Sequence, residues 1–222
     1  MMIKKILENV IFFAVIPVIL LCGVFFFGEN AYAYVSVVIA IIVCLLFYMI
    51  YEKRGRTRKL VIVAVMTALA VAGRFVFGFL PAFKPVTAIT VMTAMYLGST
   101  AGFLTGSFSA LISDFWFGQG PWTPFQMFSW GMIGFIAGLL GKPLQRSKIL
   151  LIIYGVFSGV LYSVIMDFWS VLWYNAEFSW ALYGAALIAS LPHTAVYAIS
   201  NVIFLLLMNK PFGRKLSRVA EI

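Results

Sequence analysis

The chain has 222 residues, of which 64% are hydrophobic and only 10% are charged. Because a soluble domain carries about 25% charged residues, this composition argues against a soluble enzyme, a disordered protein and a nucleic-acid-binding domain, despite a net charge of +9. A membrane span takes about 20 apolar residues, so the length allows at most about eight or nine spans and almost no soluble domain. We therefore expect an all-α polytopic membrane protein.

Apolar runs, broken by charged residues or by glycine and proline, predict eight transmembrane helices. The fourth and fifth runs are short and are separated only by Gly98-Ser99-Thr100, within a segment rich in glycine and proline. Interrupted spans of this kind are tolerated where the backbone lines a cavity enclosed by protein. The eight predicted runs are 10–27, 34–50, 60–80, 86–97, 101–115, 125–140, 149–174 and 180–208.

The basic residues predict the orientation. With the N-terminus in the cytoplasm, 14 of the 16 Lys and Arg residues fall in cytoplasmic segments, as the positive-inside rule expects. This predicts a multi-pass protein of the cell membrane with both termini cytoplasmic, and it explains the charge by orientation and membrane lipid contact rather than by nucleic acid. The exceptions, Arg74 and Lys84, either reach the outer interface or face a site for a polar or anionic ligand.

The first apolar run has the flanks of a secretory signal peptide, with Lys4 and Lys5 before it and Ala31-Tyr32-Ala33 after it. We expect this helix to remain uncleaved, because the run is long and a second helix follows at once. Cys22 and Cys44 lie apart inside apolar runs, so their number and spacing rule out a disulfide framework and a structural zinc site.

The sequence offers little support for catalysis. His193 is the only histidine, so the H-E-x-x-H pattern of a zinc protease cannot be built, and no P-loop is present for ATP hydrolysis. His193 is expected to be a hydrogen-bonded residue of the helix bundle or a ligand contact. We expect no enzymatic activity, no cofactor and no metal.

The densest group of aromatic and polar residues lies at 114–130, around the loop between the fifth and sixth runs. An aromatic belt at the membrane interface would account for its Trp and Phe residues. It would not account for the interleaved Asp and Gln residues, whereas small-molecule sites combine aromatic walls with a few placed polar groups. The candidate substrate-binding residues here are Asp114, Trp116, Phe117, Gln119, Trp122, Phe125, Gln126 and Trp130, joined by Arg74 and Lys84.

A second outer cluster lies at the end of the seventh run. Asp167 is an acidic residue in a long apolar helix, where it is costly unless paired or hydrated, so it is a functional candidate. Trp173 and Tyr174 follow it and fit either a site or an interfacial belt. These three residues and His193 complete the substrate-binding candidates.

A ladder of small residues, Ala64, Ala68 and Ala72, recurs every four residues along the third run. Residues at this spacing share one helix face and allow another helix to approach closely. The ladder predicts either a docking face for a partner or internal packing.

From about Arg56 to Met208 the chain resembles the membrane S component of an energy-coupling factor (ECF) vitamin transporter. Three features carry the resemblance: the A-x-x-x-A pattern at 64–72, Gly73-Arg74 followed by 84–89, and a glycine-rich stretch that begins at Leu97-Gly98 and runs into 117–126.

The resemblance implies a non-catalytic, six-helix binding subunit with a pocket open to the outside. It implies that Ala64, Ala68 and Ala72 dock on a transmembrane coupling protein, that two cytoplasmic ATPases supply the energy, and that the subunit topples in the membrane to release its cargo. The six-helix core would be 56–222. Residues 1–55 would add two transmembrane helices and a basic loop that the usual pattern lacks.

The run 118–126 looks most like the subgroup assigned to cobalamin or a related corrinoid. Gln119 and Gln126 could exchange hydrogen bonds with the peripheral amides of such a ligand, while tryptophans cover its ring. An S component for another vitamin is an alternative reading. A stand-alone proton-coupled carrier is a second alternative, with Asp114 or Asp167 as the proton carrier.

Overall fold

The computed structural model describes residues 57–175 and 178–220, together with Val10, Val15, Pro17 and Val18. The two helices, the possible cleavage site and the basic loop expected within 1–55 lie outside the described residues. The described part of the chain is all-α and contains no strand, which confirms the expected fold class. Its helices are α1 (Thr57–Val76), α2 (Val86–Leu97), α3 (Ser99–Phe117), α4 (Thr123–Leu139), α5 (Gly141–Arg146), α6 (Lys148–Asn175), α7 (Trp180–Ala189) and α8 (Leu191–Ala220).

Two predicted boundaries were wrong. The eighth run, 180–208, was expected to be one helix, but it breaks at Ser190 into α7 and α8, and α8 continues past Met208 to Ala220. Pro192 lies at the start of α8, where its missing N–H costs nothing and where proline ends a preceding helix. The loop expected over 142–148 instead contains the short helix α5.

Three described helices are long and apolar enough to cross a membrane, namely α1 over Lys59–Val76, α6 over Lys148–Tyr174 and α8 over Leu191–Arg218. The shorter apolar helices are α2 and α7. Helices α2, α3 and α4 form the centre of the bundle, with α1 against α2 and α3 on one side and with α6 and α8 against α4 and α2 on the other. The central helices need not be long lipid-facing spans, because their neighbours cover them.

Helices α3 and α4 meet along a seam of glycines. A β-carbon on Gly106 would collide with the backbone carbonyl of Trp130, and one on Gly102 would collide with the backbone of Gly134. Small residues at such crossings let two helix backbones come into direct contact. The seam therefore fixes the position of α3 relative to α4.

The chain reverses between α2 and α3 at a single residue, Gly98. Its φ of 96° suits glycine and is unfavourable for residues with a side chain. The turn is closed by the Gly98 N–H, which donates to the Ala94 carbonyl at 2.9 Å. All residues of α2 except Tyr96 are buried, so this short helix is an interior element.

The bundle has two chemically different ends. At one end, called the polar-cluster end, α1 and α3 finish and α4 begins, and this end holds Arg74 and Asp114. The opposite end, called the basic end, holds α5 and the last turns of α8. Its exposed basic residues are Lys142, Arg146, Lys148, Lys210, Arg214, Lys215 and Arg218.

Candidate substrate-binding site

Arg74 and Asp114 form a buried ion pair at the polar-cluster end. The Arg74 Nη1 atom lies 2.7 Å from Asp114 Oδ1, and the side chains are 8% and 1% exposed. The same nitrogen donates to the Ser113 hydroxyl. The guanidinium lies 5.0 Å from the ring centre of Phe117 and 4.9 Å from that of Trp130, as cation–π contacts require. Both charges are therefore held out of water in one fixed geometry.

The carboxylate of Asp114 also joins α3 to α4. The Thr123 hydroxyl donates to Asp114 Oδ2 at 3.2 Å. With the Gln126 amide oriented to satisfy both its ends, Gln126 Nε2 donates to the two carboxylate oxygens at 3.0 and 2.8 Å, and its Oε1 accepts from the Tyr162 hydroxyl at 2.8 Å. Three protein groups, those of Arg74, Thr123 and Gln126, thus converge on one carboxylate.

Aromatic rings continue the network toward α6 and α8. Trp130 stacks on Tyr162 with ring centroids 5.5 Å apart, and its indole N–H donates to the Tyr197 hydroxyl at 2.5 Å. That hydroxyl also hydrogen-bonds the Thr87 hydroxyl on α2. We call the whole set the Arg74 network, and its members are Arg74, Thr87, Ser113, Asp114, Thr123, Gln126, Trp130, Tyr162 and Tyr197.

Lys84 adds a second cation to this end of the bundle. Its backbone N–H donates to the Ser200 hydroxyl at 3.0 Å, and its ammonium lies 5.3 Å from the ring centre of Phe117. Burial, together with the charge of Arg74, lowers the pKa of the Lys84 ammonium. Among the described residues, no carboxylate forms a salt bridge with Lys84. One carboxylate therefore faces two basic side chains at this end of the bundle.

Two further donors in this region have no hydrogen-bond partner among the described residues. They are Arg74 Nε and Trp169 Nε1, both buried. Trp169 lies next to Trp122, with ring centroids 6.3 Å apart, and next to Phe125 at 6.4 Å. Buried donors are normally satisfied, so these two atoms suit a ligand that accepts hydrogen bonds.

The predicted aromatic residues separate into three groups. Trp122, Phe125 and Trp173 gather around Trp169, and Tyr174 packs on the edge of the same ring while remaining 77% exposed. Phe117 and Trp130 flank Arg74. Trp116 is 79% exposed and touches Phe75, so the structure does not bring it into the network.

Gln119, Asp167 and His193 also lie apart from the network. The Gln119 amide donates to the Leu111 carbonyl at 2.9 Å and so closes the end of α3. Asp167 accepts a hydrogen bond from Ser190 across the break between α7 and α8. His193 is exposed, and its ring centre lies 6.3 Å from that of Tyr197. These side chains border the candidate site rather than build it.

Sequence reasoning missed five hydroxyl groups of the network, those of Thr87, Ser113, Thr123, Tyr162 and Tyr197. The tyrosines lie inside long apolar runs, where a buried phenol has to find a partner. The cost of burying a phenol without a hydrogen-bond partner was therefore the one signal in the sequence for these two tyrosines. Neither the pairing of Tyr162 with Gln126 nor that of Tyr197 with Trp130 could be read from sequence separation.

The alanine ladder lies on the outside of α1. Ala64, Ala68 and Ala72 are exposed and line an apolar groove of about 740 Å³, whose other wall includes Leu104 and Phe108 of α3. The ladder thus does not serve the internal packing of the described helices. It leaves a shallow surface that another helix could enter.

A family model described as the S component of an ECF-type riboflavin transporter matches residues 54–210. This span begins just before α1 and includes every candidate site residue. Comparison with curated proteins and with solved structures gave no match.

Proposed function

The chain belongs to the family of ECF-type riboflavin transporter S components, and from this premise we propose that it is the subunit that captures a flavin for an ATP-driven vitamin importer. The family consists of membrane transport subunits, so the protein is a substrate-binding component of an ECF vitamin transporter and not an enzyme. The flavin cargo, the binding residues and the energising partners are the content of the proposal.

The observation that supports the binding site is the buried Arg74 network. Charged side chains inside a membrane protein are costly and typically mark a functional site. Here an ion pair, an amide and two phenols lie in a bundle whose other buried polar groups are mostly Ser and Thr hydroxyls. Tryptophans lie beside this group, and aromatic walls with a few placed polar groups are typical of small-molecule sites. Structural stability alone does not call for such a group, because an apolar core of equal volume is often as stable as a buried ion pair.

The chemistry of the site favours a flavin. A flavin has a planar three-ring system, carbonyl and ring-nitrogen acceptors, and a hydroxylated side chain. The site offers aromatic faces together with open donors on Arg74, Lys84 and Trp169. The corrinoid expected from the sequence is several times larger and needs a wide cavity, whereas Arg74 and Asp114 are 7% and 1% exposed and touch each other. This packing supports the smaller, planar cargo.

The first experiment is a calorimetric titration of the purified full-length protein in detergent with riboflavin, cobalamin, cobinamide and thiamine. We expect tight, saturable binding of riboflavin alone. Binding of a corrinoid without riboflavin would reassign the cargo. Binding of none of the four by folded protein would remove the vitamin assignment from this site.

Two variants locate the site. Gln126→Ala and Trp122→Ala should each weaken riboflavin binding by about tenfold or more, because the first removes a buried hydrogen-bonding group and the second removes an aromatic face of the site. Trp116→Ala is the matched control, because this tryptophan is 79% exposed and outside the network, and it should bind normally. Normal affinity in both test variants would place the site elsewhere.

The alanine ladder is proposed as the docking face for the transmembrane coupling protein, with two ATPases in the cytoplasm and both termini on that side. Ala68→Trp should fill the groove, spare riboflavin binding to the isolated subunit and abolish ATP-driven uptake. Leu69→Trp is the matched control, since Leu69 is 43% exposed on the same helix but does not line the groove. Equal uptake by the two variants would reject the docking role.

A further inference from the structure

One face of α8 changes abruptly from apolar to basic near its end. Ile203 and Leu207 are exposed, at 38% and 66%, and Lys210 and Arg214 continue the same face one and two turns later. Residues three or four apart share a helix face, so the four side chains form one stripe. An apolar surface that gives way to basic side chains matches the passage from the hydrocarbon of a membrane to its headgroups.

A cleft lies beside the basic part of this stripe, between α8 and the end of α2. It has a volume of about 310 Å³ and is lined by Tyr96, Asn209, Lys210, Gly213, Arg214 and Ser217. The absence of a side chain on Gly213 lets the Tyr96 phenol approach the helix, since a β-carbon there would come within 2.6 Å of the phenol oxygen. The cleft therefore presents an ammonium, a guanidinium, two hydroxyls and an amide.

The cations of the cleft have no carboxylate partner among the described residues. The two described acidic side chains, Asp114 and Asp167, both serve the polar-cluster end, and the single ion pair found in the described ranges is Arg74–Asp114. A group of donors around Lys210 and Arg214 suits an oxyanion that accepts several hydrogen bonds at once. Phosphate has that chemistry.

We propose that this cleft binds the phosphate of an anionic phospholipid, with an acyl chain lying along Ile203 and Leu207. Basic pockets at the membrane boundary recognise anionic lipid headgroups in this way. The apolar half of the stripe selects a lipid over free phosphate, because a soluble anion leaves Ile203 and Leu207 unused. The site is independent of vitamin binding at the opposite end.

The test is native mass spectrometry of the full chain released from mixed micelles of phosphatidylglycerol and phosphatidylcholine. Wild type should retain one phosphatidylglycerol in preference to phosphatidylcholine. In the double variant Lys210→Gln/Arg214→Gln, the ratio of retained phosphatidylglycerol to phosphatidylcholine should fall by about tenfold or more, as expected when two interfacial basic residues are removed. Lys142→Gln/Arg146→Gln removes the same charge from the same end outside the cleft and should behave as wild type.

Equal losses in the two double variants would overturn the proposal, because the preference would then be a general effect of charge. Displacement of the lipid by millimolar inorganic phosphate would also overturn it in favour of a soluble anion. Tyr96→Phe distinguishes binding in the cleft from binding to a charged surface. It changes no charge, but it removes a hydroxyl of the cleft and should therefore still reduce the retention of phosphatidylglycerol. Riboflavin binding by each variant, measured in parallel, shows that the protein is folded.

Discussion

The two ends of the bundle both carry arginine and lysine but use them differently. At the polar-cluster end, Arg74 is buried, paired with Asp114 and enclosed by the rings of Phe117 and Trp130. At the basic end, Lys210 and Arg214 are exposed and have no described carboxylate beside them. A cation in the interior thus has its counter-ion within the protein, whereas these surface cations have no counter-ion among the described residues.

This difference separates two kinds of recognition. A buried, hydrogen-bonded network has one geometry and can discriminate between ligands by shape and by hydrogen-bond pattern. Exposed basic side chains recognise charge and tolerate many arrangements, and salt screens them readily. The first property suits a vitamin, and the second suits a lipid headgroup.

The largest effect is expected from breaking the buried pair. Asp114→Ala leaves Arg74 without its counter-ion, which should lower the free energy of unfolding by about 3–5 kcal/mol. Denaturant unfolding in mixed micelles measures the change. Asp167→Ala is the matched control, since Asp167 is half-buried and bonded only to Ser190 among the described residues, and it should cost much less. Equal losses of unfolding free energy in the two variants would show that the Arg74–Asp114 pair has no special role in stability.

Removing both charges of the Arg74–Asp114 pair separates its effect on stability from its effect on binding. Arg74→Met/Asp114→Leu should recover most of the stability lost in Asp114→Ala, because no buried charge is then unpaired. It should still fail to bind riboflavin. A double variant that binds normally would show that the pair is structural.

A smaller effect is expected from Tyr197→Phe. The Tyr197 hydroxyl serves both Trp130 and Thr87, so its loss leaves two buried groups unbonded and should cost about 1–3 kcal/mol in unfolding free energy. Tyr174→Phe, at a 77% exposed position, should be neutral in the same unfolding assay. A neutral Tyr197→Phe would contradict the network.

The smallest effect concerns salt. Raising ionic strength from 0.1 to 1 M shortens the screening length from about 10 Å to about 3 Å. Retention of phosphatidylglycerol at the basic end should fall, while riboflavin affinity at the polar-cluster end should hardly change, because the Arg74 network is shielded from solvent. A parallel fall of both quantities would erase the distinction between the two ends.

The sequence predicted the membrane class and most of the described helices, and it selected as candidates Arg74, Asp114 and Gln126, which the structure brings into contact. These are costly residues in an apolar chain, so composition exposes them. The sequence could not show which side chains pair with each other, since the pairing of Arg74 with Asp114 depends on how α1 crosses α3. Trp116 was a candidate because it lies close in sequence to Asp114. Residues adjacent in sequence point to different faces of a helix, however, so Trp116 is exposed.

The glycine seam between α3 and α4 has a consequence for the interpretation of mutational screens. Asp114 and Gln126 are carried on these two helices, whose backbones touch at Gly106 and Trp130. A substitution at Gly106 would push the helices apart and separate the Asp114 carboxylate from the Gln126 amide, although Gly106 has no side chain in the Arg74 network. In a transport-based selection we therefore expect substitutions at Gly102 and Gly106 to lose uptake together with substitutions at the proposed binding residues. Ligand binding measured beside protein abundance would tell the two classes apart.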